Sequence, residues 1–419
     1  MLNRLLKLFT PAAAPQEPPP GHIDARRLMA QHTVEEFNEA AEGYFKRHVG
    51  NAAFYLKKPL GPPEDAAHQL TAFAEMLRGL KPLPGMRLLD FGAGTCWATR
   101  YFADFKLEVV ACDVSPTALA LGQQRFAHNP PVDSPFQPEF MAFNGRRLPL
   151  PDGFADRISC FDSFHRVPNP KEVLRELGRV LKAGGIAGFS EPGPRHSQTA
   201  QSQFEMKHYQ VLENDTVLEE IWPWAQEAGF TDLRVAVFNT APFTLSLAEF
   251  AKLESRPGSK PLQAYAEHVR RHAPERRLFF LHKGEPGAPD SRDRAALLGE
   301  LSVELYTAQV HPGDWVEGRA VAHNTGRGRW LPSAAPFGPV KLGVHLKSAD
   351  GLLIDADFAR AELPAGRGTE PGETVAILFR FQAPAESGDY RLAFDLVSED
   401  VCWFEANGAR PVEAELAVR

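Results

Sequence analysis

The sequence predicts two domains: an α/β domain built on a doubly wound parallel sheet, and a smaller all-β domain after it. Three observations support this prediction. The chain has 419 residues, more than a single hydrophobic core usually serves. Apolar strand segments alternate with amphipathic helix segments through residues 22–284, as in a parallel sheet covered on both faces. Beyond residue 298 the hydrophobic period changes to two, which is typical of antiparallel strands.

The elements of the first domain are predicted from hydrophobic spacing and from the glycines and prolines that interrupt it. Residues 22–48 are expected to form one helix because their apolar side chains are spaced for a single face. Gly184 and Gly185 are expected to cap a helix over residues 169–182. The other predicted helices are 66–80, 95–105, 115–127 and 213–228, and the predicted strands are 86–91, 107–112, 138–143, 156–161, 185–191 and 230–238.

The second domain is predicted from a change in composition and period. Proline, glycine and acidic residues after Lys283 indicate a linker over residues 285–298. Four alternating apolar runs, separated by turn residues, then predict an antiparallel sandwich of roughly immunoglobulin type over residues 299–419. The runs are 316–322, 340–346, 375–381 and 390–396.

Four aromatic residues of the sandwich invite two interpretations. They could form a platform for carbohydrate, but burial in the sandwich core is preferred. These residues are Trp315, Trp330, Trp403 and Phe404. The stretch Gly388–Phe404 resembles β-sandwich modules appended to bacterial glycan-modifying and glycan-export proteins.

A glycine turn between two apolar strands carries the clearest chemical information. The run from Arg87 is Arg-Leu-Leu-Asp-Phe-Gly-Ala-Gly-Thr, and the next strand ends in Asp113. Glycines let backbone approach a ligand closely, and a strand-end carboxylate can accept both hydroxyls of a ribose. A dinucleotide site would carry a third glycine, where this chain has Trp97. Asp90 would sit poorly beside a pyrophosphate, but it suits a cofactor with an amino group and a sulfonium.

These residues resemble the class I S-adenosylmethionine-dependent methyltransferases, and the segments Leu148–His165 and Val173–Gly185 resemble their small-molecule, type 11 branch. The resemblance covers residues 75–240. It implies a seven-stranded Rossmann-like sheet with a final antiparallel strand at 277–284. The methyltransferase domain would span residues 22–284, and 241–276 would be an insertion near the substrate. The implied contacts to S-adenosyl-L-methionine are Asp90, Gly92, Ala93, Gly94, Asp113, Val114, Asn144, Gly145, Phe161 and Asp162.

Two positions depart from the family pattern. Asn144 stands where many relatives carry an acid that meets the adenine amino group, so its amide oxygen would accept instead. The alternative is an ordinary turn asparagine before Gly145. Cys96 stands where relatives often carry glycine, and it is interpreted as a small buried thiol rather than a cofactor contact.

The catalytic base is predicted less directly. His165 follows the fourth strand, and an imidazole suits proton removal from a hydroxyl. The alternative is a histidine that only packs or orients its loop. Glu191 ends the fifth strand and is a second candidate base or polar contact, with a solvated strand-end carboxylate as the alternative. His196 lies near Glu191 in sequence, but a single Glu/His pair is too little for a metal, so no metal site is predicted.

The predicted function is transfer of a methyl group from S-adenosyl-L-methionine to a hydroxyl of a sugar or other small molecule, possibly in surface-polysaccharide biosynthesis. A lipid or quinone-like acceptor is the alternative, and so is a non-catalytic scaffold. The second alternative draws on the changes at Asn144 and Cys96, whereas Asp90, Gly92, Gly94 and Asp113 favour an enzyme.

Composition limits the partners. The net charge of −7 lacks the basic field of a nucleic-acid binder. The sequence holds no long apolar run and no convincing secretory signal, so a cytoplasmic location is expected. Residues 1–9 are basic and apolar and could touch a membrane weakly, although a frayed end of a disordered segment over 1–21 is preferred. The four cysteines are scattered, which argues against a disulfide framework, and the oligomeric state stays open.

Overall fold

The computed structural model describes residues 19–237, 241–364, 366 and 368–419. The predicted peripheral contact through residues 1–9, and most of the predicted disordered segment 1–21, lie outside these residues. The chain divides into two compact units. One comprises the residues up to Pro82 together with Met86–Pro286, and the other comprises Leu83–Gly85 with Gly287–Arg419. The boundary at 286/287 therefore falls inside the predicted linker 285–298.

The first unit is built on a seven-stranded sheet of order β3-β2-β1-β4-β5-β7-β6. Only β7 runs antiparallel to its neighbours β5 and β6, and the other pairs are parallel. The predicted fold class of this domain is thereby confirmed. The strands are β1 Arg87–Phe91, β2 Glu108–Asp113, β3 Glu139–Ala142, β4 Ala155–Phe161, β5 Leu181–Pro192, β6 Asp232–Ala236 and β7 Arg276–Lys283.

Helices cover this sheet and precede its first strand. In chain order they are α1 Ala25–Gln31, α2 Val34–His48, α3 Ala52–Leu56, α4 Pro63–Leu80, α5 Trp97–Asp104, α6 Pro116–His128, α7 Pro170–Val180, α8 Ala200–Tyr209, α9 Leu218–Glu227, α10 Leu247–Ser255 and α11 Lys260–His272. Within the described part of the chain, no helix combines the length and the apolar character needed to cross a bilayer.

Two helix predictions differ from the structure. The expected helix over 22–48 is two helices, because Thr33 caps α2: its side chain accepts from the backbone N–H of Glu36, and the Glu36 carboxylate accepts from the Thr33 N–H. Helix α8 was not predicted at all. It begins with the capping residue Thr199 and shows almost no apolar stripe, so hydrophobic periodicity could not find it.

The predicted glycine cap after α7 is also wrong. The helix ends at Val180, and Gly184 and Gly185 lie within β5. The open carbonyls at the helix end are satisfied from another strand, since Lys283 Nζ donates to the carbonyls of Gly178 and Leu181 at 2.7 Å each. A cation at a helix C-terminus also complements the helix dipole.

The core of the first unit packs tightly against both faces of the sheet. On one face Phe189 and Phe279 stack in parallel with ring centroids 4.7 Å apart. On the other face helix α4 approaches so closely that a Cβ at Gly79 would lie 1.9 Å from the Phe280 ring. Such packing fixes the strand ends, which carry the candidate site.

The second unit contains a three-stranded sheet of order β13-β10-β8 and a sheet of order β12-β11-β14-β16-β9, with β15 paired to β14. One apolar core joins residues of both sheets, which confirms the all-β prediction. The strands are β8 Glu300–Leu305, β9 Gln309–Val310, β10 Trp315–His323, β11 Val340–Ser348, β12 Leu353–Glu362, β13 Thr374–Gln382, β14 Gly388–Ser398, β15 Cys402–Trp403 and β16 Val412–Val418.

The four aromatic residues of this unit do not share one surface role. Trp330 and Phe404 are fully buried against each other in the core. Trp403 stacks on His345 with ring centroids 3.9 Å apart, and Trp315 is 48% exposed. The preferred interpretation as sandwich core therefore holds for Trp330 and Phe404.

Candidate cofactor and acceptor site

The two predicted carboxylates lie at the same edge of the sheet. Strands β1 and β2 are parallel neighbours in which Asp90 is opposite Ala111, so Asp90 and Asp113 come from adjacent strand ends. Asp113 Oδ2 accepts from the Gly94 N–H and Oδ1 from the Ser115 N–H, both at 2.8 Å. The turn that follows β1 is thus fastened to the carboxylate that ends β2.

The two glycines of the turn serve different purposes. Gly92 has φ +69°, and a Cβ there would lie 2.2 Å from Ser163 Oγ in the loop after β4. Gly94 has φ +52°, and a Cβ there would meet only the Phe45 ring, at 4.0 Å. Gly92 therefore permits protein packing, whereas Gly94 presents an open backbone face that a ligand can approach.

The charge state of Asp90 suits a cationic ligand. Asp90 is 2% exposed, and burial raises the pKa of its carboxyl to about 7, even though Thr99 Oγ1 donates to it at 2.6 Å. The charge of Asp113 acts in the same direction as burial. A positive charge arriving beside Asp90 would favour its ionised form. The pair Asp90 and Asp113 therefore fits a cofactor that carries an ammonium and a sulfonium.

Helix α2 covers this edge of the sheet. Glu42 accepts from Ser115 Oγ and Thr117 Oγ1 at 2.6 Å each. Burial opposes ionisation of Glu42, but these hydrogen bonds outweigh it and lower its pKa to about 2. Phe45 lies one turn further along the same helix, over Gly94. Sequence reasoning missed Glu42, because a glutamate on a helix is usually a solvated surface residue.

The loop after β3 contains the predicted adenine contact. Asn144 Oδ1 accepts from the backbone N–H groups of Arg146 and Arg147 at 2.9 Å each, which is the turn arrangement weighed as the alternative. Gly145 has φ +82° and faces helix α2. Cys96 is fully buried with its Sγ directed at Gly122, as expected for a small buried thiol. No disulfide forms, since all four cysteines are free.

The loop after β4 is held by an arginine that was not predicted. Arg276 Nη2 donates to Asp162 Oδ1 at 2.6 Å, and its guanidinium lies 5.1 Å from the centroid of the Phe161 ring. Two further groups, Lys58 and His68, interact electrostatically with Asp162, and burial lowers the pKa of each. Both come from the segment before β1, where no motif identifies them.

The predicted candidate bases His165 and Glu191 form one buried pair. His165 Nδ1 lies 2.6 Å from Glu191 Oε2. Glu191 is fully buried and also accepts from the backbone N–H groups of Ser163, Phe164 and His165. All the lone pairs of Glu191 are therefore engaged, and its geometry is that of a residue that positions His165 and its loop.

A second glutamate, Glu213, lies on the other side of His165. Its Oε2 lies 3.4 Å from His165 Nε2 and 2.6 Å from His196 Nε2, and Arg166 Nη2 lies 2.7 Å from its Oε1. Burial lowers the affinity of His165 for a proton, but hydrogen bonds to Glu191 and Glu213 outweigh it and raise its pKa to about 9. The imidazole thus holds a proton at neutral pH and cannot accept another. Glu213 has no sequence motif and was missed.

Aromatic residues form a wall next to the cofactor turn. The ring of Tyr44 lies 4.6 Å from His48 and 5.3 Å from Tyr209, and its hydroxyl lies 3.3 Å from that of Tyr55. The Tyr55 carbonyl accepts from Thr95 Oγ1, which connects the wall to the turn after β1. Tyr44, His48 and Tyr55 come from the segment before β1, whereas Tyr209 lies on the unpredicted helix α8.

Part of the chain is similar to known methyltransferases. Residues 89–189 match a family described as a methyltransferase domain. The chain is 29% identical over 197 residues to a demethylmenaquinone methyltransferase of Renibacterium salmoninarum, covering 42% of this chain and 79% of that protein. It is 32% identical over 127 residues to a ubiquinone/menaquinone biosynthesis C-methyltransferase of Ectopseudomonas mendocina, covering 29% and 48%.

A plant protein and a solved structure are also similar. A 2-methyl-6-phytyl-1,4-hydroquinone methyltransferase of Oryza sativa subsp. japonica is 29% identical over 153 residues, covering 36% of this chain and 43% of that protein. Haemonchus contortus phosphoethanolamine N-methyltransferase 2, solved with S-adenosyl-L-methionine, is 15% identical with a TM-score of 0.39, covering 64% and 61%. The chain thus spans four fifths of the Renibacterium protein and less than half of the Ectopseudomonas and rice proteins.

Proposed function

The first unit of this chain is a class I S-adenosylmethionine-dependent methyltransferase domain, and we propose that it methylates a ring carbon of a hydroxylated, quinol-like small molecule. The observation that carries the proposal is the agreement among the relatives, three of which are named for quinone or hydroquinone methylation. This acceptor was the alternative in the sequence analysis, and it now takes precedence over a sugar hydroxyl.

The aromatic wall supports a flat acceptor. His48, Tyr55 and Tyr209 pack around the ring of Tyr44, and Tyr55 contacts the turn after β1 through its carbonyl. Aromatic side chains pack well against planar rings, through offset-stacked and edge-to-face contacts. By contrast, the sugar acceptor was inferred from a short resemblance in the sandwich, where Trp330 and Phe404 are buried in the core.

Each residue of the site has a role in this reaction. When bound, S-adenosyl-L-methionine supplies an electrophilic methyl group. Asp90 would balance its positive charge, and Asp113 would hold the ribose hydroxyls. A ring carbon becomes nucleophilic when a ring hydroxyl loses its proton, so a neutral base near the acceptor is needed. Methylation of a ring carbon also releases the proton of that carbon, which the same base would accept.

Lys58 and His68 are the proposed bases. Burial lowers the pKa of both, so a larger fraction of each is neutral at physiological pH than of an exposed group. His165 is proposed to orient its loop instead, because its imidazole lies between two glutamates that keep it protonated.

The proposal is tested by supplying the purified chain with methyl-labelled cofactor and a panel of acceptors. The panel contains a short-chain demethylmenaquinol, a simple monohydric phenol and free hexoses, and the labelled position is assigned by NMR. We expect label on a ring carbon of the quinol, and none when Asp113→Asn replaces the wild type. Label on a hydroxyl oxygen, or on a sugar in preference to the quinol, would refute the proposed acceptor.

A further inference from the structure

We propose that His165, His196 and Glu213 form a binding site for one divalent metal ion of the zinc type. The three ligand atoms lie within 4.8 Å of one another. They come from three separate segments: the loop after β4, the turn before α8 and the stretch between α8 and α9. The sequence analysis considered only His196 with Glu191. The structure instead directs Glu191 to the far side of His165 and supplies Glu213 as the missing carboxylate.

The hydrogen bonds around His165 prepare it as a ligand. Glu191 lies 2.6 Å from Nδ1, and Nε2 lies 3.4 Å from Glu213 Oε2. Arg166 Nε donates to the same Nε2 at 3.3 Å, so the Arg166 side chain would turn aside when the ion binds. Histidines that bind metals in proteins usually donate their second ring nitrogen to a carboxylate or a carbonyl in this manner, because the partner fixes the tautomer and the ring orientation. Glu191, itself fully buried, is therefore a positioning residue for this site.

The balance of charge among the buried groups around His165 also favours binding of a divalent cation. The cluster contains three buried carboxylates, Glu191, Glu205 and Glu213, and a single guanidinium, Arg166. Metal binding requires both imidazoles to be neutral, so the ion would replace the proton on His165, and the remaining groups then carry a net charge of −2 for the ion to balance. One divalent ion would neutralise this charge, and buried charges are otherwise costly.

Glu213 is incompletely satisfied in the absence of an ion. Its Oε1 lies 2.7 Å from Arg166 Nη2 but forms no hydrogen bond of acceptable geometry. Its Oε2 lies 2.6 Å from His196 Nε2, closer than the roughly 3.3–3.5 Å that separates neighbouring ligands around tetrahedral zinc. His196 would thus retreat by about 0.7–0.9 Å to admit the ion, and its side chain has the room to do so because it is 23% exposed.

The chemical nature of the three ligands favours zinc over magnesium or calcium. Two imidazoles and one carboxylate are the ligands of many zinc sites that keep an open fourth position, and imidazole is a poor ligand for Mg²⁺ or Ca²⁺. An ion here would fasten the loop that carries Ser163 to helix α8, and so fix Tyr209 of the aromatic wall.

The test is a titration of the full chain, first stripped with chelator, with Zn²⁺ against a chromogenic competitor and with Co²⁺ followed by visible absorption. We expect one Zn²⁺ per chain with a dissociation constant below about 1 µM. His196→Gln should weaken binding at least about 100-fold, and Glu191→Gln by about 10- to 100-fold. Tetrahedral Co²⁺ bands should appear only in proteins that keep all three ligands.

His272→Gln is the matched control, because His272 also pairs with a glutamate, Glu275, at 2.8 Å but on the surface. It should bind Zn²⁺ like the wild type. If the wild type binds no Zn²⁺ at about 10 µM, or if His196→Gln and His272→Gln are affected equally, the site does not exist. His196 is partly exposed, so the His196→Gln variant should fold, and circular dichroism verifies this. The titration uses neither cofactor nor acceptor, so its result is independent of the proposed methyl transfer.

Discussion

Replacing Asp90 by asparagine should weaken cofactor binding and stabilise the free protein at the same time. The carboxyl has a pKa of about 7 in the fold, against an ordinary value of 3.8. The folded chain therefore holds a proton that the unfolded chain releases between those two pH values. Stability from this group is fully present below about pH 4, falls as the pH rises to 7, and stays low above it.

The magnitude follows from the shift. The raised pKa of the Asp90 carboxyl lowers the free energy of unfolding of the wild type at pH 8 by at most about 4 kcal/mol. Asp90→Asn removes that penalty, and its amide oxygen can still accept from Thr99. The variant should therefore unfold at a higher temperature than the wild type at pH 8. Losing a charge-assisted contact should weaken S-adenosyl-L-methionine binding by about 10- to 150-fold.

The pH dependence gives a second measurement. Binding of a cation requires the ionised carboxylate, so the dissociation constant of the wild type should rise about 11-fold between high pH and pH 6, and the variant should show no such rise. Titration calorimetry and thermal unfolding measure both effects. Asp156→Asn is the control, since Asp156 lies near the other end of the sheet and pairs with Lys182. A variant that loses both stability and affinity, or a wild type whose affinity is unchanged at pH 6, would refute the reasoning.

Three further predictions concern packing. Gly92→Ala should lower the free energy of unfolding by about 1–3 kcal/mol and weaken cofactor binding, because the new methyl meets Ser163 at a positive φ; unchanged calorimetry would contradict this. A Gly→Ala change within a helix ordinarily raises the free energy of unfolding by about 1 kcal/mol. In Gly79→Ala, contact of the new methyl with the Phe280 ring should instead lower the free energy of unfolding measured in denaturant titrations. A gain in stability would show that the ring moves freely. Trp330→Ala should lower the free energy of unfolding of the second unit by about 3–5 kcal/mol. The affinity for the cofactor should stay within about twofold of the wild type, and a large loss of affinity would argue against separate cores.

The cofactor half of the site could be predicted from sequence because its residues are contiguous. Asp90, Gly92 and Gly94 follow one strand, and Asp113 ends the next, so a parallel sheet brings them to one edge. Burial and hydrogen bonding changed the expectation for Asn144, whose amide oxygen is used by its own turn. The local Asn144-Gly145 pair indicates such a turn, but it does not decide between the turn and the adenine as the partner of the amide oxygen.

The acceptor half could not be predicted in the same way. Tyr209 belongs to a helix without an apolar stripe, and Arg276 opens a strand whose sequence suggests only pairing. Glu213 begins the predicted helix 213–228, whereas the observed helix α9 starts only at Leu218. Their positions depend on tertiary packing between segments that are far apart in sequence. Glu191 is an example. Its neighbour in sequence is His196, but in the fold its hydrogen-bond partner is His165.

The segment that matches the methyltransferase family and the residues proposed to contact the acceptor lie in different parts of the chain. The matched family segment, residues 89–189, contains Asp90 and Asp113, which are proposed to hold the cofactor, and the loop of His165. Tyr44, Lys58 and the other residues proposed to meet the acceptor lie outside it. Relatives that share the segment share the electrophile, whereas the shape and charge around the acceptor belong to each chain. We therefore expect the choice of acceptor to depend on residues before β1 and after β5, where the aromatic rings are one basis for proposing a flat acceptor rather than a sugar.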